Sequence, residues 1–177
     1  RDLMFTAQLD STKNPFVIRY PRGEGVMTDW KRPMKEIPIG KGRKLKDGKE
    51  IAVLSFGHPG NFAAAAIREV KAEGIDPAHY DIRFVKPLDE ELLHEVFTTY
   101  QKVITVEDGT VMGGMGSAIL EFMNENGYKA DVRIMGIPDR LVEHGSPREL
   151  YNEIGIDAHH IAEQLRAMVG VTTRIFQ

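Results

Sequence analysis

Residues 51–61 read IAVLSFGHPGN. The first six form a nearly unbroken apolar run, the pattern of a strand covered on both faces. Gly57-His58-Pro59-Gly60-Asn61 then turns the chain into a helix. On that helix Phe62, Ala66 and Val70 line one side, with Gly74 just past its end. The same alternation repeats downstream. Residues 80–85 (YDIRFV) predict a strand, and Pro87-Leu88-Asp89 breaks it. A helix follows whose first turn carries Asp89, Glu90 and Glu91, acidic groups that complement the positive helix end. Its buried stripe is Leu92, Leu93, Val96 and Phe97. Residues 102–107 (KVITVE) predict another covered strand. A glycine-rich loop from Gly109 to Gly116 leads into a helix with Ala118, Ile119, Phe122 and Met123 inside, stopped at Asn126-Gly127. Residues 132–136 predict a further strand.

Ser146-Pro147-Arg148-Glu149 is a capping box with proline at the first helical position. Asp157 caps a last helix on which Ile161, Leu165 and Met168 share a face. Residues 37–45 read as an edge strand with a turn at Lys46-Asp47-Gly48. Strands alternating with helices imply a three-layer α/β/α domain with a mostly parallel sheet over residues 37–169.

The composition bounds the function. The chain has 177 residues, 42% of them hydrophobic and 28% charged, as in an ordinary globular domain. A net charge of −3 gives no support to nucleic-acid binding. No apolar run is long enough to span a membrane, and no signal-peptide pattern opens the chain. Cysteine is absent, which excludes disulfides and thiolate metal sites and fits a cytoplasmic protein.

Upstream, residues 15–23 read PFVIRYPRG. Phe16-Val17-Ile18 predicts a short buried strand, ended by Pro21, which has no amide to donate. Arg19 and Arg22 then stand at a strand's carboxyl end, where open α/β sheets place ligands. An arginine fork matches a phosphate or carboxylate, so Arg22 is the candidate for gripping an anionic group. The competing reading is a pair of structural ion pairs at a domain boundary. Residues 1–9 look helical, with Leu3 and Ala7 on one face. This strand has no upstream neighbour to pair with. We therefore expect residues 1–22 to be the tail of an earlier domain, joined by a polar linker over 23–36. Trp30, the only tryptophan, either fixes that linker to a domain face or stacks on a ligand.

Other candidates have structural readings beside the chemical ones. Gly113-Gly114-Met115-Gly116 opens a helix and offers amides to a phosphate, but it does not match G-x-G-x-x-G. Close helix–sheet packing is the alternative. Glu107-Asp108 is a carboxylate pair whose structural roles are ion pairing and helix capping. His58 and the Glu143-His144-Gly145 stretch lie in loops. His159 and His160 point about 100° apart on a helix and make no metal site. Arg83, inside a predicted strand, needs a partner for its charge.

In order, RYPRG, IPIGKG, IAVLSFG, DIRFVKPLDEELL, VITVEDG with GGMGSA, GIPDRLVEHG and LYNEIGID resemble the carboxyl-terminal part of the 1-deoxy-D-xylulose-5-phosphate synthase family. That family is transketolase-like and thiamin-diphosphate-dependent. The resemblance runs to about Val169. It implies the last strand of a pyrimidine-binding domain over 1–22, a linker over 23–36, a transketolase carboxyl-terminal-like domain over 37–169 and a tail over 170–177. It implies a homodimer, a cytoplasmic location, and a reaction joining pyruvate to D-glyceraldehyde 3-phosphate with loss of carbon dioxide. Thiamin diphosphate and Mg2+ would sit in the other domains, so this stretch alone should bind neither and be inactive. Carried over residue by residue, Arg22 binds the substrate phosphate, with Tyr20 and Arg19 as neighbours. No catalytic or metal-binding residue carries over. Where the family reads T-V-E-E, this chain has Thr105-Val106-Glu107-Asp108, which keeps the charge. Two other readings stand beside this one: a non-catalytic dimerising or effector-binding module, and the β-subunit part of a 2-oxo acid dehydrogenase.

Overall fold

A computed structural model describes residues 1–10, 14–21 and 31–170. It opens with α1 (Asp2–Leu9) and continues as β1 (Arg43–Lys46), β2 (Ala52–Phe56), α2 (Gly60–Lys71), β3 (Ala78–Asp81), α3 (Glu90–Thr99) and β4 (Lys102–Thr110). The remaining elements are α4 (Met115–Glu125), β5 (Asp131–Ile137), α5 (Pro147–Glu153) and α6 (Ala158–Val169).

The five strands form one sheet in the order β1-β3-β2-β4-β5. β3, β2, β4 and β5 run parallel, and β1 joins β3 antiparallel at the edge. The covered strands are explained by the sheet's two faces. Ile51 and Val53 point to one side, where they meet Ala66, Val70, Ile161 and Leu165 of α2 and α6. Ala52 and Leu54 point to the other, against Leu93, Val96 and Phe97 of α3 and Ile119 of α4. The three-layer α/β/α architecture is thus the one expected. The helix after β2 also ends as predicted: Gly74 has φ +88°, and the next amide, Ile75 N, bonds back to Val70 O at 3.2 Å.

From β2 the chain moves to β3 on one side, then returns to β4 on the other. The carboxyl ends of β2 and β4 therefore flank the point where the winding reverses, the place where open α/β sheets leave a crevice for ligands.

Several expectations need correction. Residues 14–21 contain no strand. Phe16 and Ile18 are half-buried, Val17 is 89% exposed, and Phe16 meets the Phe84 ring edge-on at 6.4 Å. The segment pairs with no strand among the described residues, and a strand without a ladder gains little in water. Residues 80–85 do not all lie in β3, which ends at Asp81. Arg83 follows it at φ 58° and pairs with Asp81 at 3.5 Å. The edge strand is shorter than residues 37–45, since β1 begins at Arg43. Asp89 is the N-cap of α3 rather than part of its first turn. α1 exists, but it buries Thr6 rather than an apolar stripe. Thr6 Oγ1 accepts from Ile37 N at 2.9 Å, and Asp2 pairs with Arg32 at 2.6 Å.

Candidate functional site

The crevice at the reversal point is built on the end of β4. Glu107 and Asp108 are consecutive, so they face opposite ways. Glu107 points inward, 2% exposed. Its carboxylate accepts from Met115 N at 2.9 Å and from Gly116 N at 2.8 Å, the first amides of α4. Both structural roles foreseen for this pair are present, divided between its members: Glu107 caps a helix and Asp108 takes an ion pair.

Asp108 faces Arg19. The Arg19 guanidinium lies 3.2 Å from Asp108 Oδ1 and also donates to the Asp108 carbonyl. Arg19 thus stands at a strand's carboxyl end, but the strand is β4 and not its own. Tyr20, beside it, is 71% exposed. Arg22, Gly23 and Trp30 lie outside the described residues.

Two clefts meet here, sharing Pro147 and Tyr151 of α5. One, of about 400 Å³, runs between the Arg19–Pro21 segment, Asp108 and Leu150. The other, of about 740 Å³, lies between His58, Phe62 and the start of α6. His58 stacks on Tyr151 with ring centroids 6.0 Å apart, and Phe62 meets both rings edge-on. His58 is therefore half-buried in an aromatic cluster, not a free loop histidine. Burial first, and then the Asp108 carboxylate, push the Tyr151 hydroxyl up, with Arg19 opposing.

The glycine-rich turn has a packing explanation. A Cβ on Gly114 would lie 2.1 Å from Thr110 O, and one on Gly116 would lie 2.7 Å from Ile134 Cγ2. The described residues do not fit a diphosphate at this helix start, because the amides it would need already bond to Glu107 and its negative charge would repel another anion. Among the described residues no cluster of three or more His, Asp or Glu side chains is placed to hold a metal ion. His159 and His160 take separate carboxylates, Glu163 and Asp157. His144 is exposed.

Two features had no foothold in the sequence reading. Tyr151 sits in the capping-box helix without any motif of its own. His79, in β3, is 3% exposed and lies 2.9 Å from Ser55 Oγ. A sheltered histidine between alanine and tyrosine shows no pattern until the strand's neighbours are known.

Residues 40–161 match the family described as "Transketolase, C-terminal domain". The chain belongs to that family. This transketolase C-terminal domain is 56% identical over 174 residues to the 1-deoxy-D-xylulose-5-phosphate synthase of Cytophaga hutchinsonii, covering 98% of the chain and 27% of the relative. It is 57% identical over 166 residues to the synthase of Bacteroides thetaiotaomicron, covering 93% of the chain and 26% of that protein. The domain thus spans about a quarter of the length of these curated relatives. Among solved structures, one described as a split gene transketolase, inactive β4 tetramer, superposes with a TM-score of 0.71 at 29% identity. The match covers 77% of this chain and 45% of that one. A transketolase R525L mutant from Pichia stipitis shares the fold, with a TM-score of 0.54 at 15% identity, over 76% of this chain and 19% of that one.

Proposed function

We propose that this chain is the carboxyl-terminal region of a 1-deoxy-D-xylulose-5-phosphate synthase, a transferase joining pyruvate to D-glyceraldehyde 3-phosphate with loss of carbon dioxide. The observation that carries the reading is 56% identity over 98% of the chain to a protein bearing that name. The same relatives favour the synthase over a 2-oxo acid dehydrogenase β-subunit. Thiamin diphosphate, bound with Mg2+ by the other domains, supplies the decarboxylation chemistry. The part played by these residues is recognition of the second substrate. Arg22 presents a fork of donors to the phosphate of glyceraldehyde 3-phosphate, with Tyr20 and Arg19 beside it. The domain also contributes to a cytoplasmic homodimer. No helix among the described residues is long and apolar enough to cross a membrane.

Residues 1–177 alone are then inactive and bind no thiamin diphosphate, because the cofactor needs the domains that clasp it. The inactive tetramer described for the split gene transketolase is in keeping with this. The test uses the whole encoded protein. It should release carbon dioxide from pyruvate in a manner dependent on glyceraldehyde 3-phosphate, and Arg22→Ala should raise the KM for the phosphate substrate far more than that for pyruvate. Absence of this activity from the whole protein overturns the reading.

A further inference from the structure

The larger of the two clefts, about 740 Å³, opens beside the carboxyl end of β2, where the winding of the sheet reverses. A volume of that order holds a ligand of nucleotide size. One wall is aromatic. His58 and Tyr151 stack at 6.0 Å with 29° between their planes, and the Phe62 ring meets them edge-on at 5.2 and 5.1 Å. Three polar groups on the cleft lack an internal partner. The His58 ring nitrogens, the Tyr151 hydroxyl and the Arg148 guanidinium make no hydrogen bond or ion pair among the described residues. The carboxylates of the cleft are turned instead into helix starts. Glu149 accepts from Ser146 N at 3.0 Å and from Ser146 Oγ at 2.6 Å. Asp157 accepts from His160 N and Asn152 Nδ2, each at 3.0 Å. His159 pairs with Glu163 at 3.5 Å. Arg148 is thus the one charged side chain of the cleft that no described residue engages. His58 and Phe62 also flank the first turn of α2, which no side chain caps, so its positive end favours an anion there.

We propose that this cleft binds a small molecule made of a flat heteroaromatic ring and a phosphate group, a nucleoside monophosphate in size and chemistry. The ring packs on the wall of His58, Phe62 and Tyr151. The His58 nitrogens and the Tyr151 hydroxyl bond to its polar edge or to the sugar hydroxyls. Arg148 takes the phosphate with its fork of donors. This does not rest on the synthase reading, which uses none of these four residues.

The test titrates AMP, GMP, CMP and UMP into the whole encoded protein by calorimetry, with the parent nucleosides and inorganic phosphate titrated separately. At least one nucleotide should bind, about tenfold tighter than its own nucleoside and tighter than inorganic phosphate. Arg148→Ala should weaken that nucleotide about tenfold and leave the nucleoside unchanged, because it removes only the charged donors. Tyr151→Leu should weaken nucleotide and nucleoside alike. Thermal melts check both variants. Arg148 is exposed and makes no polar contact among the described residues, so its removal leaves the fold intact even if Tyr151→Leu does not fold. Binding of none of the four nucleotides overturns the proposal. So does inorganic phosphate binding as tightly as the nucleotide, which leaves the aromatic wall without a role. If Arg148→Ala leaves the nucleotide's affinity unchanged, the nucleotide sits elsewhere in the protein and the proposal fails. In each case the synthase reading stands or falls separately, on carbon dioxide release from pyruvate.

Discussion

Glu107 Oε1 accepts the amide of Gly116 at 2.8 Å from inside the sheet, while Oε2 holds the amide of Met115 at 2.9 Å. A buried carboxylate on β4 thus does for α4 what a capping side chain usually does from the residue just before the helix. The helix dipole favours that charge. Glu107→Ala leaves two buried amides without partners and should destabilise the fold by about 2–5 kcal/mol. Glu107→Gln keeps one acceptor and turns an amino group toward the second amide, so it should cost roughly half as much. Urea unfolding of the chain measures both. Equal losses for Gln and Ala would mean that the contacts matter less than the charge.

The glycines before α4 should separate cleanly by what surrounds them. Gly113 has φ +73° with nothing near its missing Cβ, whereas Gly114 would place a Cβ 2.1 Å from the Thr110 carbonyl. Gly113→Ala should therefore cost about 1 kcal/mol of backbone strain. Gly114→Ala forces backbone apart and should cost roughly 2–4 kcal/mol. Thermal melts of the two variants decide the order, and a more damaging Gly113→Ala would contradict it.

Asp89 joins the start of α3 to the residues just ahead of β1. It accepts from Leu92 N at 3.2 Å as the cap of α3, from Gly42 N at 3.0 Å ahead of β1, and from Lys41 Nζ at 3.2 Å. It is 6% exposed. Asp89→Ala should lower stability by about 2–3 kcal/mol, the sum of a lost cap and an unpaired amide. Asp89→Asn still accepts one bond and should fall well short of that. Hydrogen exchange on the α3 amides gives a local readout, with Leu92 and its neighbours expected to lose protection first.

The legible parts of this fold were those set by local chemistry. The runs around β2 and β4 announce strands covered on both faces, and Ser146 with Glu149 forms the capping box that its spacing implies. Asp157 caps α6 by accepting from His160 N at 3.0 Å. The illegible parts depend on distant partners. Phe16-Val17-Ile18 reads as a strand, but a strand needs a neighbour, and none of the described residues supplies one. Arg19 and Asp108 are 89 positions apart, and no spacing rule connects them. Arg19, which the sequence places at the end of a strand of its own, lies instead against the carboxyl end of β4, and Arg22 falls outside the described residues. The glycine-rich turn invites a phosphate in the sequence because the carboxylate that fills it comes from the preceding strand.

His79 should give the fold an acid sensitivity of its own. It is buried in β3 against Ser55 Oγ, opposite Lys46 of β1 and two residues from Asp81. Burial pushes its imidazole down from 6.5 to about 4, with Arg43 and Lys46 adding to the effect and Asp81 opposing it. Above pH 6.5 the ring is neutral in both the folded and unfolded chain, so it adds no slope to stability. As the pH falls below that, the unfolded chain takes up a proton that the folded one refuses, and stability drops until the folded ring titrates near 4. At about 1.4 kcal/mol per pH unit for one proton, the whole loss is roughly 3 kcal/mol. His79→Gln keeps a polar group for Ser55 and removes the titration. Its unfolding free energy in urea should therefore fall less steeply than that of the wild type between pH 6.5 and 4.5. Parallel slopes for the two proteins would show that His79 does not carry the acid sensitivity.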